Sequence, residues 1–249
     1  MAVVMALLWV VQARTKNGGI VDVAWSFGTG LCAVFFAFVA DGDPNRRLVV
    51  ALIAGFWGLR LGVMLAKRVL SESEDGRYKA MRERWGEKTQ IKMFGFFQIQ
   101  AFWAMMFALP MLAASLSPLP LGWVDSLAVL IWAVSIIGES MADAQLARFR
   151  GNPANKGKVC EDGLWAWSRH PNYFFEWLHW FSYLILALGG SLVWLAALGP
   201  VVMFLFLTKV TGIPTTEARA LVSRGDAYRD YQRRVSVLVP WPPKPKGGL

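Results

Sequence analysis

Long apolar runs, separated by short polar connections, constrain this chain more than any other feature. A bilayer core of ~30 Å is crossed by a helix of about 20 apolar residues. Runs of that order lie at Ile20 to Val39, Leu48 to Ala66, Phe94 to Leu116, Leu121 to Ala142, Tyr173 to Leu188 and Ser191 to Val210, and Met1 to Val11 is a shorter seventh. Lipid offers no partner to a backbone N–H or C=O, so such runs are satisfied as helices. The expected fold is an all-α polytopic membrane bundle of six to seven transmembrane helices, forming a single integral membrane domain over residues 1–249. A mean hydropathy of +0.40 and a hydrophobic fraction of 55% agree with it. Met1 to Val11 has neither the basic start nor the small-residue cleavage site of a removed signal peptide, which leaves a partial first span as the expectation.

The basic residues orient the bundle. Arg14 and Lys16 follow the first run, a cluster from Lys67 to Lys92 follows the third, and Arg148, Arg150, Lys156, Lys158 and Arg169 follow the fifth. The tail from Lys209 to Lys246 adds more, while the alternate connections hold only Arg46 and Arg47. Positive residues stay on the cytoplasmic side. The C-terminus is therefore expected in the cytoplasm, with the chain in the inner membrane if its cell is bacterial. The net charge of +9 is scattered over membrane loops and builds no recognition helix or RNA platform, so no nucleic-acid partner is expected.

Two cysteines and two histidines limit metal and redox chemistry. Cys32 lies in a span and Cys160 in a cytoplasmic loop, so both are expected as free thiols. His170 and His179 have no neighbours at zinc spacing. Glu176 and His179 form one Glu-x-x-His pair of the di-iron type, but the second such pair is missing. His179 is expected as a hydrogen-bonded bundle residue, and no metal is expected.

The chemistry concentrates between Gly163 and Glu176, where Arg, His, Asn and Glu crowd the mouth of an apolar run. Pro171 suits the first position of a helix, which puts Asn172 and Glu176 one turn apart on one face. Arg169 and His170 fall just outside that start, where free N–H groups and the helix dipole favour an anion. Upstream, Glu139, Asp143 and Arg150 make a polar stripe on a helix leaving lipid. Acids at that depth are costly enough to suggest function. The plainer reading is a surface pairing of Asp143 with Arg148 or Arg150, which is worth about 0.2–0.5 kcal/mol. Together with Lys156 and Lys158 these residues form a basic, aromatic-rich cup. Ser71 to Lys92 reads as an amphipathic helix at the interface, with Tyr78, Met81 and Trp85 on one side. Beyond Thr211 the chain is too polar to span, and Tyr228, Tyr231, Val235 and Val239 suggest an element folded back on the cytoplasmic mouth.

These residues carry a resemblance. Asp143 with Arg150, Gly163-Leu164-Trp165, Ser168, Asn172, Glu176, Glu217, Gly225, Tyr228, Tyr231 and Leu238-Val239-Pro240 resemble the C-terminal half of the steroid 5-alpha-reductase family. The Arg169-to-Tyr173 core is also similar to the sterol C14-reductase branch and to short bacterial members of unassigned substrate, which Glu74 to Tyr78 and Met81 to Gly86 fit best. The functional motifs span residues 139–241. The resemblance implies an NADPH-dependent membrane reductase whose cofactor lies in a cytoplasm-facing cavity. The cofactor would be bound or framed by Asp143, Arg150, Lys158, Trp165, Arg169, His170, Asn172, Tyr173, Glu176, Glu217, Arg219, Tyr228 and Tyr231. The residues agree in kind: Gly28-Thr29-Gly30 opens no strand–turn–helix unit, so a dinucleotide would need a pocket built of side chains.

The N-terminal spans depart from that pattern. They lack the Gln-Glu-Leu-Pro-Ser motif and the early tyrosine of the steroid reductases, and the first tyrosine is Tyr78. Asp22 is the remaining intramembrane acid on that side, either a proton donor to a substrate oxygen or a cap on the second span. The expected substrate is an apolar enone, steroid-like or isoprenoid lipid entering from the bilayer. The rival enzyme class is an S-adenosylmethionine-dependent methyltransferase of the isoprenylcysteine or phospholipid type, which shares an Arg-His-Pro-x-Tyr turn. Asn172 with Glu176, the Asp143–Arg150 stripe, and Phe174-Phe175 in place of a small residue favour the reductase. A transporter would show repeated halves or broken spans, and no such symmetry is visible.

Overall fold

The protein is described from a computed structural model that covers residues 1 to 245, so Lys246 lies outside the described residues. The α-helices are α1 (Ala2–Thr15), α2 (Ile20–Val39), α3 (Pro44–Ser71), α4 (Gly76–Trp85), α5 (Thr89–Ser115), α6 (Trp123–Gly151), α7 (Pro171–Leu186), α8 (Val193–Leu205), α9 (Ile213–Arg224) and α10 (Asp226–Arg234). Five helical stretches are long and apolar enough to cross a membrane: Ile20–Val39, Pro44–Ser71, Gly76–Ser115, Trp123–Gly151 and Val193–Arg224. In the third and fifth, the apolar part is α5 and α8, and the charged helices α4 and α9 extend beyond it. Two expected spans fall short. α1 has 14 residues and α7 has 16, or about 21 and 24 Å at ~1.5 Å per residue. The outer faces are apolar as lipid requires: Leu31 is 68% exposed, Phe38 80% and Leu52 62%. The multi-pass membrane bundle therefore stands, with five helices of spanning length.

The chain divides into two compact units. The first comprises Met1–Gly122 and Leu186–Ala197. Its tightest joint is the crossing of α2 and α3, which meet through glycines. A Cβ on Gly58 would lie 2.8 Å from Gly30 Cα and 3.0 Å from the Ser26 carbonyl oxygen. Without a hydrophobic drive between helices in lipid, such close backbone approach supplies the packing. α3 starts on Asp43, whose carboxylate accepts the Arg46 N–H, with Pro44 at the first helical position. The buried Arg46 guanidinium then donates to the loop carbonyls of Leu119 and Pro120 and to that of Leu186, the last residue of α7.

α4 is not simply laid on the interface. Tyr78 is 2% exposed, and it packs with Met5, Val21, Met93 and Phe97 while Met81 and Trp85 lean on the same cluster. Ion pairs fasten the helix: Arg82 meets Glu74 at 3.1 Å, and Arg77 reaches Asp22 on α2 at 2.9 Å.

The second unit comprises Trp123–Ile185 and Leu198–Leu249. Within it α8 runs into a π-helical turn, Phe206–Val210, which ends the apolar stretch and precedes the polar α9. Such turns often mark functional sites. α9, α10 and the tail then fold over the loop before α7. Ala220, Tyr228, Tyr231 and Val235 form their core. The fold-back expected from sequence is present, with one difference: Leu238 is buried, whereas Val239 is 49% exposed.

Candidate functional site

The sequence cluster around Gly163 to Glu176 is assembled in the second unit from its own backbone constraints. Gly163 has φ +58°, and a Cβ there would meet the Gln145 side chain at 2.5 Å. Only glycine takes that turn without strain. The turn lets Leu164 N–H donate to Gln145 Oε1 at 2.9 Å. Trp165, buried, donates its indole N–H to the Ala142 carbonyl at 2.9 Å, which fixes the loop to α6. Tyr231 Oη closes the loop from the other side, donating to the carbonyls of Trp165 at 2.6 Å and Ser168 at 3.2 Å.

α7 begins at Pro171, as its sequence predicts. Asn172 Nδ2 donates to Asp143 Oδ1 at 3.2 Å, and its Oδ1 accepts the Tyr173 N–H at 3.0 Å. The amide thus joins α6 to α7. One turn on, the buried Glu176 accepts the Trp180 indole N–H at 3.1 Å. His179 Nε2 lies 3.0 Å from Tyr183 Oη in the interior, as expected of a bundle residue.

Glu217 on α9 is the centre of the charged network. Its Oε1 accepts from Arg169 Nε at 2.7 Å, His170 Nε2 at 3.1 Å and Tyr228 Oη at 3.4 Å, and its Oε2 accepts from Gln232 Nε2 at 2.7 Å. Arg169 also donates to the carbonyls of Gln232 and Val235. The Arg169–His170 corner, expected at an anion port, is therefore fastened to protein acceptors. Tyr173 stacks on His170 with ring centres 5.4 Å apart and reaches toward Thr216. Gln232 was missed by sequence reasoning; its place one turn after Tyr228 was the available signal. Arg150, Lys158 and Arg219 are exposed at the surface of this unit.

The network sets the charges of its members. Burial would raise the Glu217 carboxyl, but the His170 and Arg169 hydrogen bonds, the Arg169 charge and Gln232 outweigh it and hold the carboxyl at about 2. Burial pushes the His170 imidazole below its usual value by more than Glu217 raises it. A carboxylate only accepts, so His170 carries its proton on Nε2. Both groups bind protons more weakly folded than unfolded. Stability attributable to them is then complete above the unfolded His value of ~6.5 and falls as pH drops below it, with a further loss below ~4.3 as the unfolded Glu217 takes up a proton. We expect the melting temperature to fall between pH 7 and 5 in the wild type and to fall less in His170→Gln. A His170→Gln curve parallel to the wild type would remove His170 from this account.

Asp22 lies in the first unit, in the first turn of α2. Its carboxylate pairs with Arg77 at 2.9 Å and accepts from Tyr78 Oη at 2.7 Å. α2 carries no side-chain cap, so Asp22 anchors α2 to α4 rather than capping its own helix. Cys32 and Cys160 are free thiols. Among the described residues, no group of three or more His, Cys, Asp or Glu could hold a metal ion.

Comparison with known proteins gives a family and two relatives. Residues 8–235 match the family described as protein of unknown function (DUF1295). An uncharacterised protein of Schizosaccharomyces pombe is 26% identical over 94% of this chain and 76% of its own. A probable O-methyltransferase, ustE, of Ustilaginoidea virens is 40% identical over 63 residues, covering 25% of this chain and 22% of the relative. No solved structure matches.

Proposed function

The chain belongs to the DUF1295 family, and we propose that it works as a membrane-embedded, NADPH-dependent reductase of a carbon–carbon double bond in a lipophilic substrate of the enone, steroid or isoprenoid kind. The observation that carries this reading is the Asp143–Asn172 pair with Glu176 one turn further along α7. It supplies carboxylate acceptors and an amide on a scaffold fixed by Trp165, Tyr231 and Glu217.

The donor chemistry fits the cofactor. A 2′-phosphate is held by converging cations. Arg224 Nε donates to the Lys158 carbonyl at 2.9 Å, and the charges of Arg150 and Arg224 both act on the Cys160 thiol, so these cations gather about one loop. Burial keeps that thiol raised and protonated. In this reading Arg150, Lys158 and Arg224 hold phosphate, and Arg219 lies on α9 with Arg224. Glu176 accepts from the carboxamide NH₂, and Asn172 donates or accepts beside it. Trp165, Tyr231 and the Arg169–Glu217–His170 network keep the walls in place, with Tyr173 and Tyr228 packed against that network. NADPH, when bound, supplies the hydride.

Glu176→Gln tests the assignment, because it preserves shape and the Trp180 contact while removing the charge. Cofactor affinity is expected to fall by about 1–3 kcal/mol, the cost of a mispaired buried hydrogen bond, with melting of the free protein unchanged. Lower stability without any change in affinity would return Glu176 to the scaffold. A methyltransferase is the second reading, supported by the 63-residue likeness to a probable O-methyltransferase.

The reductase reading needs the cup in the cytoplasm. Labelling cysteines introduced at Asp41 and Leu119 from outside is expected to succeed, and at Lys79 and Lys156 to fail, in a protein whose Cys32 and Cys160 are replaced by alanine. Asp41 is preferred to Gly42, where a Cβ would collide with the Ser115 carbonyl oxygen. The reverse labelling pattern would contradict the orientation.

A further inference from the structure

We propose that the C-terminal strip Val237, Val239 and Trp241, with Trp167 beside it, is an interfacial anchor that seats the second unit on the bilayer surface. The strip bends at Val235, Val237, Leu238 and Val239, and its side chains divide between a buried and an exposed side. Val235 and Leu238 face inward at 4% and 3% exposure, while Val237, Val239 and Trp241 stand out at 42%, 49% and 70%. It is zipped to the loop before α7: Arg169 N–H donates to the Ser236 carbonyl, Ser168 Oγ to the Leu238 carbonyl, and Trp241 N–H to the Trp167 carbonyl at 2.9 Å. The last bond puts the half-exposed Trp167 next to Trp241.

Three observations identify lipid as the occupant. The first is depth. Trp165, two residues before Trp167, is tied by its indole to the Ala142 carbonyl, where the apolar part of α6 ends and Asp143 begins. The loop and the strip zipped to it therefore lie level with the apolar-to-polar boundary of a spanning helix. The second is chemistry, because tryptophans concentrate at that level, with the ring in the headgroup region. The third is charge. Val235 to Pro245 contains no acid and carries Lys244, while the nearby acids Asp230 and Glu161 are engaged by Arg233 and Arg234. That face complements anionic headgroups. The strip thereby fixes the height of the Arg169–Glu217 network, to which its first residues are bonded, at the membrane surface. This holds whichever cofactor the unit binds.

The test uses the full chain with Cys32 and Cys160 replaced by alanine, a single cysteine at Val239, and an environment-sensitive fluorophore, reconstituted in phosphatidylcholine–phosphatidylglycerol vesicles. Lipids spin-labelled near the headgroup are expected to quench the probe strongly, those labelled near the chain end weakly, and aqueous iodide little. The same probe at Arg229, exposed on α10, controls for the dye's own affinity for lipid and is expected to show the opposite ranking. Iodide quenching at Val239 without lipid quenching would overturn the proposal. Protection from both would also overturn it, assigning the strip to a protein partner.

Discussion

Glu217→Ala is expected to destabilise the second unit by about 3 kcal/mol, the low end of the range for breaking a buried ion pair. The Arg169 and Glu217 side chains are 11% and 14% exposed, so truncation leaves a guanidinium with little water and a lost counter-charge. Gln232, His170 and Tyr228 lose their acceptor in the same step. Glu217→Gln, which keeps an acceptor oxygen, is expected to cost less. Replacing both Arg169 and Glu217 with methionine is expected to recover part of the loss, because no charge is then stranded. Chemical unfolding in detergent measures all three. An alanine variant as stable as the wild type would mean that the network at this corner carries no structural load.

Gly58→Leu is expected to have a comparable effect in the first unit, costing about 3 kcal/mol or preventing assembly, at or beyond the upper end for overpacking. The atoms that a new side chain would meet are backbone, Gly30 Cα and the Ser26 carbonyl oxygen, and neither can rotate away. α2 and α3 would have to separate. Gly95→Ala on α5 is the control: nothing lies within 4 Å of the added Cβ, and alanine gains about 1 kcal/mol of helix propensity over glycine. Loss of folded yield in Gly58→Leu with Gly95→Ala unharmed supports the crossing. Equal behaviour of the two would refute it.

Hydropathy made the bundle legible, because lipid forces backbone polar groups into helices and five runs are long enough to declare themselves. It did not separate α7 from a span. That run, Tyr173 to Leu188, is apolar throughout, but its helix, Pro171–Leu186, is only 16 residues long. The start of α7 was legible for a local reason, since proline fits a first helical turn. Arg169 was read as a port for an anion because its counter-charge, Glu217, is distant in the chain and only the fold brings α9 back to it. The Arg77 and Tyr78 partners of Asp22 are illegible for a similar reason, since they reach it from another helix. Leu238 and Val239 are neighbours in a bent segment with no strand period, so no sequence pattern tells which of the two faces inward. Gly30 and Gly58 carried a readable small-residue signal, but only their pairing across two helices reveals its use.

The reaction class is tested most directly by following the transferred group. Purified protein in vesicles made from a membrane lipid extract is given NADPH deuterated at the nicotinamide C4 position, on the transferable face, in one sample, and S-adenosylmethionine deuterated in its methyl group in another. The account predicts deuterium in the lipid fraction from NADPH, with a matching amount of NADP⁺, and none from S-adenosylmethionine. Transfer of the labelled methyl group, with NADPH left unconsumed, would contradict it.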